Sequence, residues 1–439
     1  MRSSVEKKFK ASAPGRLDVM GGIGDYSGSL VLQMPISQQT KIQLTLREDY
    51  QCHIQSRIST GEALTVTVDY RNYLNNQEVD YEFAQKRFKE NVSSHWISYV
   101  LGCALVLQKE KGIDFKGANF KITSDVPLGK GVSSSASLEV ATMKALSEAF
   151  EVPLPGTLLP MLAQRVENLI VGAPCGLMDQ LACYFGEPKK LLPILCQPDR
   201  IEKPIALPDD ISFIGIDSGV RHSVAGASYG DVRCAAFMGY SIIADLLEVV
   251  TEELRLAKSK IDFSTLPFQG FLCNISVKQY EESFLHNLPH LLSGKEFLEQ
   301  HKVSIDRVTV IDERKVYQVR QCTSHPVYEN ERVIQFRNLL LALHESSDQN
   351  ERKIHLKKMG DLMYQSHESY SLCGLGSERT DEIVALAKSA SGVYGAKITG
   401  GGNGGTVCLL VDEEGKKSAR HIHQLLGEKY KGDLMLFEA

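Results

Sequence analysis

The stretch Pro127-Leu128-Gly129-Lys130-Gly131-Val132-Ser133-Ser134-Ser135-Ala136-Ser137-Leu138-Glu139 constrains the chain most. Ahead of it, Ala118–Thr123 alternates apolar and polar residues and is predicted to be a strand. Behind it, Leu138–Leu146 carries the period of an amphipathic helix. Two glycines and a run of serines therefore sit where a helix begins. The first N–H groups of a helix lack internal partners, and the macrodipole adds partial positive charge there. Glycines admit close approach of an anion, and serine hydroxyls add donors or a ligand for Mg²⁺. The stretch reads as a phosphate cradle, with a Ser-capped helix after a Gly turn as the plainer alternative. It is not a Walker A loop, because no G-x-x-x-x-G-K-[ST] occurs.

At 439 residues the chain exceeds one typical core, and two domains are expected, 1–205 and 206–439. Its 43% hydrophobic and 23% charged residues fit a soluble globular protein. A net charge of −5 gives no global attraction to nucleic acid or anionic membrane. Residues 1–10 are polar, unlike a secretory signal, and no apolar run reaches the length of a membrane span. The ten cysteines are scattered without CxxC pairs, which fits reduced thiols in a cytoplasm.

Along the chain, Pro14-Gly15 is expected to turn and the glycines at 21, 22, 24 and 28 to keep the backbone irregular. Arg16, Asp18 and Asp25 are thereby expected on a loop, as functional side chains or as an Arg–Asp surface pair. Residues 31–46 suggest strands, and 57–89 show little pattern. Residues 96–107 and 158–170 read as helices, the first with one apolar side. Glu167 falls late in the second, against the helix dipole, and so needs a compensating metal, cation or basic neighbour. Asp179 lies among small and apolar residues, where a carboxylate is usually paired, capping or functional. Residues 211–217 form a clear strand, followed by long helices reaching from near Asp231 to Leu254, Glu329–His344 and Lys353–Tyr370. His222 is better read as a hydrogen-bonded structural histidine than as a base. Finally, Gly400, Gly402 and Gly405 spell GxGxxG, but Thr406–Val411 is β-branched and apolar. A loop that opens a strand instead of a helix excludes the dinucleotide-binding reading.

Taken together, three segments resemble the signature motifs of the GHMP small-molecule kinases, in order and spacing across nearly the whole chain. Ala13-Pro14-Gly15-Arg16 with Asp25-Tyr26 looks like the N-terminal signature of galactokinases. Gly131–Glu139 looks like their ATP-phosphate loop, and Thr399–Gly405 like the third motif. Cys175–Gln180 and Val220-Arg221-His222-Ser223 through Tyr229 are similar to galactokinase segments too. The resemblance implies an α+β, two-domain fold, ribosomal S5 domain 2-like at the N-terminus and ferredoxin-like at the C-terminus, with ATP and Mg²⁺ as cofactors. It further implies that Asp179 takes the proton of a sugar hydroxyl and that Arg16 neutralises the transferring phosphoryl group. By the same likeness Ser135, or Ser134, and Glu167 hold Mg²⁺. Pro127, Gly129, Gly131, Ser133, Ser134, Ser135, Ala136, Gly401 and Gly402 serve the nucleotide, and Asp25, Gly22, Ile23, Tyr229 and Gly176 the sugar.

One departure bears on the substrate. Galactokinases carry Gly-Glu-His between the Arg and the Asp-Tyr, and those Glu and His side chains bind the C6 end of the sugar. This chain has Gly21-Gly22-Ile23. L-Arabinopyranose has the ring stereochemistry of galactopyranose without C6. The segments 16–23, 25–36 and 370–377 also look like the kinase domain of plant arabinokinases. The expected activity is therefore ATP-dependent phosphorylation at C1 of L-arabinose. The alternatives are a kinase for galactose or another pyranose and, from another class, a non-catalytic sugar and ATP sensor. Erosion of Arg16, Asp179 or the serine loop would mark the sensor, and all are intact. The expected partner is a small monosaccharide, without nucleic acid or membrane.

Overall fold

The computed structural model describes residues 7–58, 63–173, 175–197, 199–220, 227–248, 265–302, 304–306 and 308–439. The chain divides into two compact units, one of residues 1–16 and 35–188, the other of 17–34 and 189–439. Both combine helices with sheets, as the α+β expectation required.

In the first unit, β2 (Leu30–Leu46) runs antiparallel to β5 (Ala118–Ser124) through Thr40–Leu46. β3 (Gln51–Ile58) lies parallel to β5 on its other side, and β4 (Ala63–Asp69) forms the edge. The little-patterned region 57–89 thus holds β4 and a short helix, α1 (Tyr81–Lys89), whose N-cap Asp80 accepts from the Phe83 amide. α2 (Ser98–Lys111) buries Val100 through Leu107 without a break, so it is enclosed instead of one-sided. α3 (Ser134–Ala149), α4 (Leu158–Arg165) and α5 (Met178–Phe185) complete the unit's helices. They share one core with α2 through Val140, Met143, Leu162 and Cys183. The helix read at 158–170 changes character at Val166, continuing as a π-turn through Val171 that carries Glu167. Such bulges recur at functional sites.

In the second unit, the opening residues of β2, Leu30–Gln33, pair with β6 (Lys190–Cys196). β7 (Asp199–Ile201) and β8 (Ile205–Ala206) fold back onto β6. The second unit resumes at Lys189, whereas the expected second domain begins at 206. A four-stranded antiparallel sheet follows, ordered β10-β11-β9-β12 from β9 (Ser212–Asp217), β10 (Val393–Ile398), β11 (Thr406–Val411) and β12 (Leu436–Glu438). Its helices are α6 (Ala227–Leu246), α7 (Gly294–His301), α8 (Val319–Glu345), α9 (Gln349–Leu372), α10 (Glu378–Lys388) and α11 (Glu413–Tyr430). Residues 399–405 connect β10 to β11, with Ile398 opposite Val407. A strand follows the glycines, as the composition of 406–411 predicts. All ten cysteines are free thiols. No helix among the described residues is long and apolar enough to cross a membrane.

Candidate active site

β1 (Phe9–Met20) overturns the expectation of a loop for Arg16 and Asp18, for both lie on a continuous strand. Gly15 is needed there for contact and not for a turn. A Cβ at this position would stand 2.7 Å from the Val132 carbonyl oxygen, and that carbonyl accepts the Arg16 amide at 3.1 Å. The strand thereby lies directly against the serine-rich loop.

Within the first unit, this contact brings Arg16 to Asp179. Arg16 is 3% exposed and reaches Asp179 Oδ1 with Nε at 3.0 Å and Nη2 at 2.8 Å. Its third nitrogen, Nη1, donates to the Gly131 carbonyl at 2.7 Å. Ser133 stands before α3 with φ 58°, held between Gly131 at φ 73° and the helix. Its hydroxyl does not cap the helix but donates to Asp179 Oδ2 at 2.7 Å. Asp179, in the first turn of α5, thus accepts from a guanidinium on one oxygen and from a hydroxyl on the other, and keeps 26% of its side chain exposed. A carboxylate held this way is oriented and reachable, as a proton acceptor must be.

Behind it lie two buried acids. Glu167 on the π-turn and Glu139 on α3 each accept from the Gln180 amide, at 2.9 and 3.1 Å. Burial, with the nearby Asp179 charge, pushes Glu167 up to about 7 against hydrogen bonds from Ser135, Cys175 and Gln180. Burial and the Glu167 charge push Glu139 well above the usual carboxylate range. Glu139 Oε1 has no hydrogen-bond partner. Of the metal, cation or basic neighbour expected for Glu167, the basic neighbour is replaced by an amide, a thiol and a hydroxyl. The set lacks positive charge, which a proton or a cation would supply. Among the described residues no group of three or more His, Cys, Asp or Glu side chains forms a metal cage. One carboxylate with one hydroxyl is instead the sparse donor set that Mg²⁺ uses when phosphates complete its shell.

Within the second unit, the turn Gly22–Ser27 carries Asp25, which is 6% exposed and accepts the Tyr26 amide on Oδ1 at 2.7 Å. Tyr229 on α6 meets the Tyr26 ring edge-on, with centroids 6.1 Å apart. Arg221, His222 and Ser223 lie outside the described residues. Gly401 and Gly402 lie in the β10–β11 connection, where Gly402 has φ 80° and passes Leu375 so closely that a Cβ would be 2.6 Å from that residue's own Cβ. Gly176 precedes α5 in the first unit, so the residues expected to touch the sugar fall in both units.

Sequence reasoning assigned no role to Lys397 or Glu329, and placed Asp18 on a loop instead of among the buried residues that hold the turn. Asp18 and Lys397 are both fully buried and joined at 2.8 Å. Asp18 Oδ1 also accepts from Gly22 N at 3.0 Å and Gln33 Nε2 at 2.8 Å. Glu329 on α8 accepts from Gly21 N at 3.2 Å, Ser366 at 2.7 Å and Arg332 at 2.7 Å. The available signal was a lysine in the middle of an apolar strand, Ala396-Lys397-Ile398, which only a buried counter-charge explains.

His325 on α8 adds a pH dependence. Its Nδ1 meets Ser369 Oγ at 2.7 Å, and its ring stands edge-on to Tyr370. Burial lowers it to about 4, with Glu329 pulling the other way and Arg332 and Lys397 adding to the fall. Burial would raise Glu329, but Arg332, His325 and Lys397 outweigh it and bring it to about 2. A histidine depressed in the fold stabilises above its unfolded value near 6.5, and that stability is lost as pH falls toward 4. Glu329 loses its contribution below about 4.5 in the same direction. Melting measured from pH 7.5 to 4.5 is expected to show a decline of up to about 3 kcal/mol beginning near 6.5. His325→Gln should flatten that limb, and an unchanged slope would remove the histidine as its source.

Two family models match, the N-terminal domain of GHMP kinases over residues 98–187 and their C-terminal domain over 347–427. The chain is 39% identical over 473 aligned residues to L-arabinokinase of Arabidopsis thaliana, across 97% of this chain and 44% of that protein. It thus spans less than half the length of that relative. A galactokinase of Chloroflexus aggregans is 29% identical, across 92% of this chain and 84% of its own. The fold is similar to a crystal structure of Lactococcus lactis galactokinase complexed with galactose, with a TM-score of 0.69 and 21% identity over 100% of this chain and 94% of that one. Both halves of the GHMP kinase architecture are thus matched in order, one by residues 98–187 and the other by residues 347–427.

Proposed function

We propose that the chain is an ATP-dependent sugar kinase that phosphorylates the anomeric C1 hydroxyl of L-arabinose, giving the sugar 1-phosphate and ADP. The observation that carries the reading is the Arg16–Asp179–Ser133 arrangement at the start of α3. Phosphoryl transfer asks a protein for positioning and charge neutralisation more than for covalent chemistry. Asp179 accepts the proton of the C1 hydroxyl as that oxygen bonds to the terminal phosphorus and ADP leaves. Arg16 orients Asp179 and offers its guanidinium to the charge that develops. The loop from Pro127 to Ala136, with Gly129, Gly131, Ser133 and Ser134, supplies backbone amides for phosphate oxygens, and Gly401 and Gly402 assist. Ser135 and Glu167 would hold Mg²⁺, which when bound neutralises phosphate charge. Asp25, Gly22, Ile23, Tyr229 and Gly176 hold the sugar, and the free thiols suit a reducing cytoplasm.

Identity to L-arabinokinase favours the pentose, while the galactokinase relatives keep galactose as the second reading. ATP consumption is measured with L-arabinose, D-galactose, D-glucuronate and no sugar, with product phosphate located at C1. A higher kcat/KM on arabinose than on galactose is expected. Preference for galactose would sink the substrate assignment, and failure of every sugar to raise consumption over the sugar-free blank would sink the kinase.

A further inference from the structure

Three successive amides of the sugar-loop segment are each held by a different buried side chain. Gly21 N donates to Glu329, Gly22 N to Asp18, and Ile23 N to the hydroxyl of Tyr370 at 2.9 Å. Tyr370 is fully buried near the end of α9, and its hydroxyl donates onward to the Gly400 carbonyl at 3.1 Å. Each function of that hydroxyl is used, so it is fixed from both sides.

Its position has a steric consequence. Gly22 has φ +37°, and a Cβ built there would lie 1.5 Å from Tyr370 Oη, 2.7 Å from Cζ and 2.9 Å from Asp18 Oδ2. The hydroxyl occupies the volume in which any side chain at 22 would begin. Ile23 is 1% exposed and apolar. Neither position therefore offers a side-chain donor or acceptor to a ligand.

We infer that Tyr370 is a specificity-determining positioning residue. By filling the space at Gly22 and anchoring Ile23, it denies a polar contact to any carbon outside the pyranose ring and favours a pentopyranose over a hexose. This rests on the sugar-kinase reading above and extends it to a residue placed behind the turn.

The test is a mutant cycle on the full chain with Gly22→Ala, Tyr370→Leu and the double variant, and Tyr370→Phe beside it. Sugar affinity is read by calorimetry as well as by turnover, so a chain inactive on every sugar removes the kinase reading while the binding data still decide the role of Tyr370. Tyr370→Phe is expected to raise the KM for L-arabinose about tenfold while kcat and the KM for ATP stay within about twofold. A merely structural residue would impair all three together. Gly22→Ala alone should weaken arabinose binding about 100-fold, but only about threefold in the Tyr370→Leu background. The arabinose-to-galactose preference should fall in both Tyr370 variants. Costs that multiply independently, or an unchanged preference in Tyr370→Phe, would overturn the assignment.

Discussion

Asp179→Asn is expected to lower kcat by about 10²–10⁴-fold while nucleotide affinity stays within a few-fold of the parent. The substitution keeps the shape and one carbonyl oxygen, which can still accept from Arg16 at the position now 2.8–3.0 Å away. What it removes is basicity. Asp179→Ala is a poorer probe, because it also takes the carboxylate from a guanidinium that is only 3% exposed, and breaking a buried ion pair costs about 3–5 kcal/mol by itself. Single-turnover kinetics with saturating ATP and L-arabinose measure the chemical step, and titration with a non-hydrolysable ATP analogue measures binding. Turnover within about threefold of the parent would remove Asp179 as the base. A parallel loss of nucleotide binding would instead assign it a structural part in setting Ser133 and the loop.

The elements legible in the sequence were those with a local cause. β5, α3 and β9 follow from alternation or helical period, and the role of 399–405 as a strand connection follows from the β-branched residues after it. Asp179 was legible as unusual, because a carboxylate among small and apolar residues needs a partner, and Arg16 was legible only as a candidate functional side chain. Their pairing across 163 residues was not, since no local pattern encodes it. Pro14-Gly15 misled for a physical reason. Glycine serves turns and close approaches alike, and at Gly15 the second applies because the Val132 carbonyl leaves no room for a Cβ. The pairing of β6 with Leu30–Gln33 was not legible either, being a contact distant in sequence. Tyr370 stood in a recognisable segment, yet its meaning depends on a hydroxyl meeting Gly22, 348 positions earlier in chain order.

Lys397→Met is expected to destabilise the protein by about 3–5 kcal/mol, the range for breaking one side of a buried ion pair. Lys397 and Asp18 have no exposed side-chain surface, and their 2.8 Å contact is the pair's main compensation for desolvation. Lys397 Nζ also lies 5.3 Å from the centroid of the Tyr370 ring, so its charge is stabilised from a second direction. Without the lysine, Asp18 loses its counter-charge in an enclosed site, while Gly22 N and Gln33 Nε2 still donate to it. Adding Asp18→Asn removes the carboxylate and keeps an oxygen for the same two donors. The double variant is therefore expected to recover more than half of the loss, whereas two independent defects would add. Denaturant titrations of the two single variants and the double supply the coupling energy. Because Asp18 fixes the Gly22 amide, the single lysine variant should also raise the KM for sugar, and the double variant should restore it in step with stability. Simple addition of the two costs would show that the pair does not act as a unit. Recovery of stability without recovery of KM would show that the charge of Lys397, and not the geometry of Asp18, holds the turn.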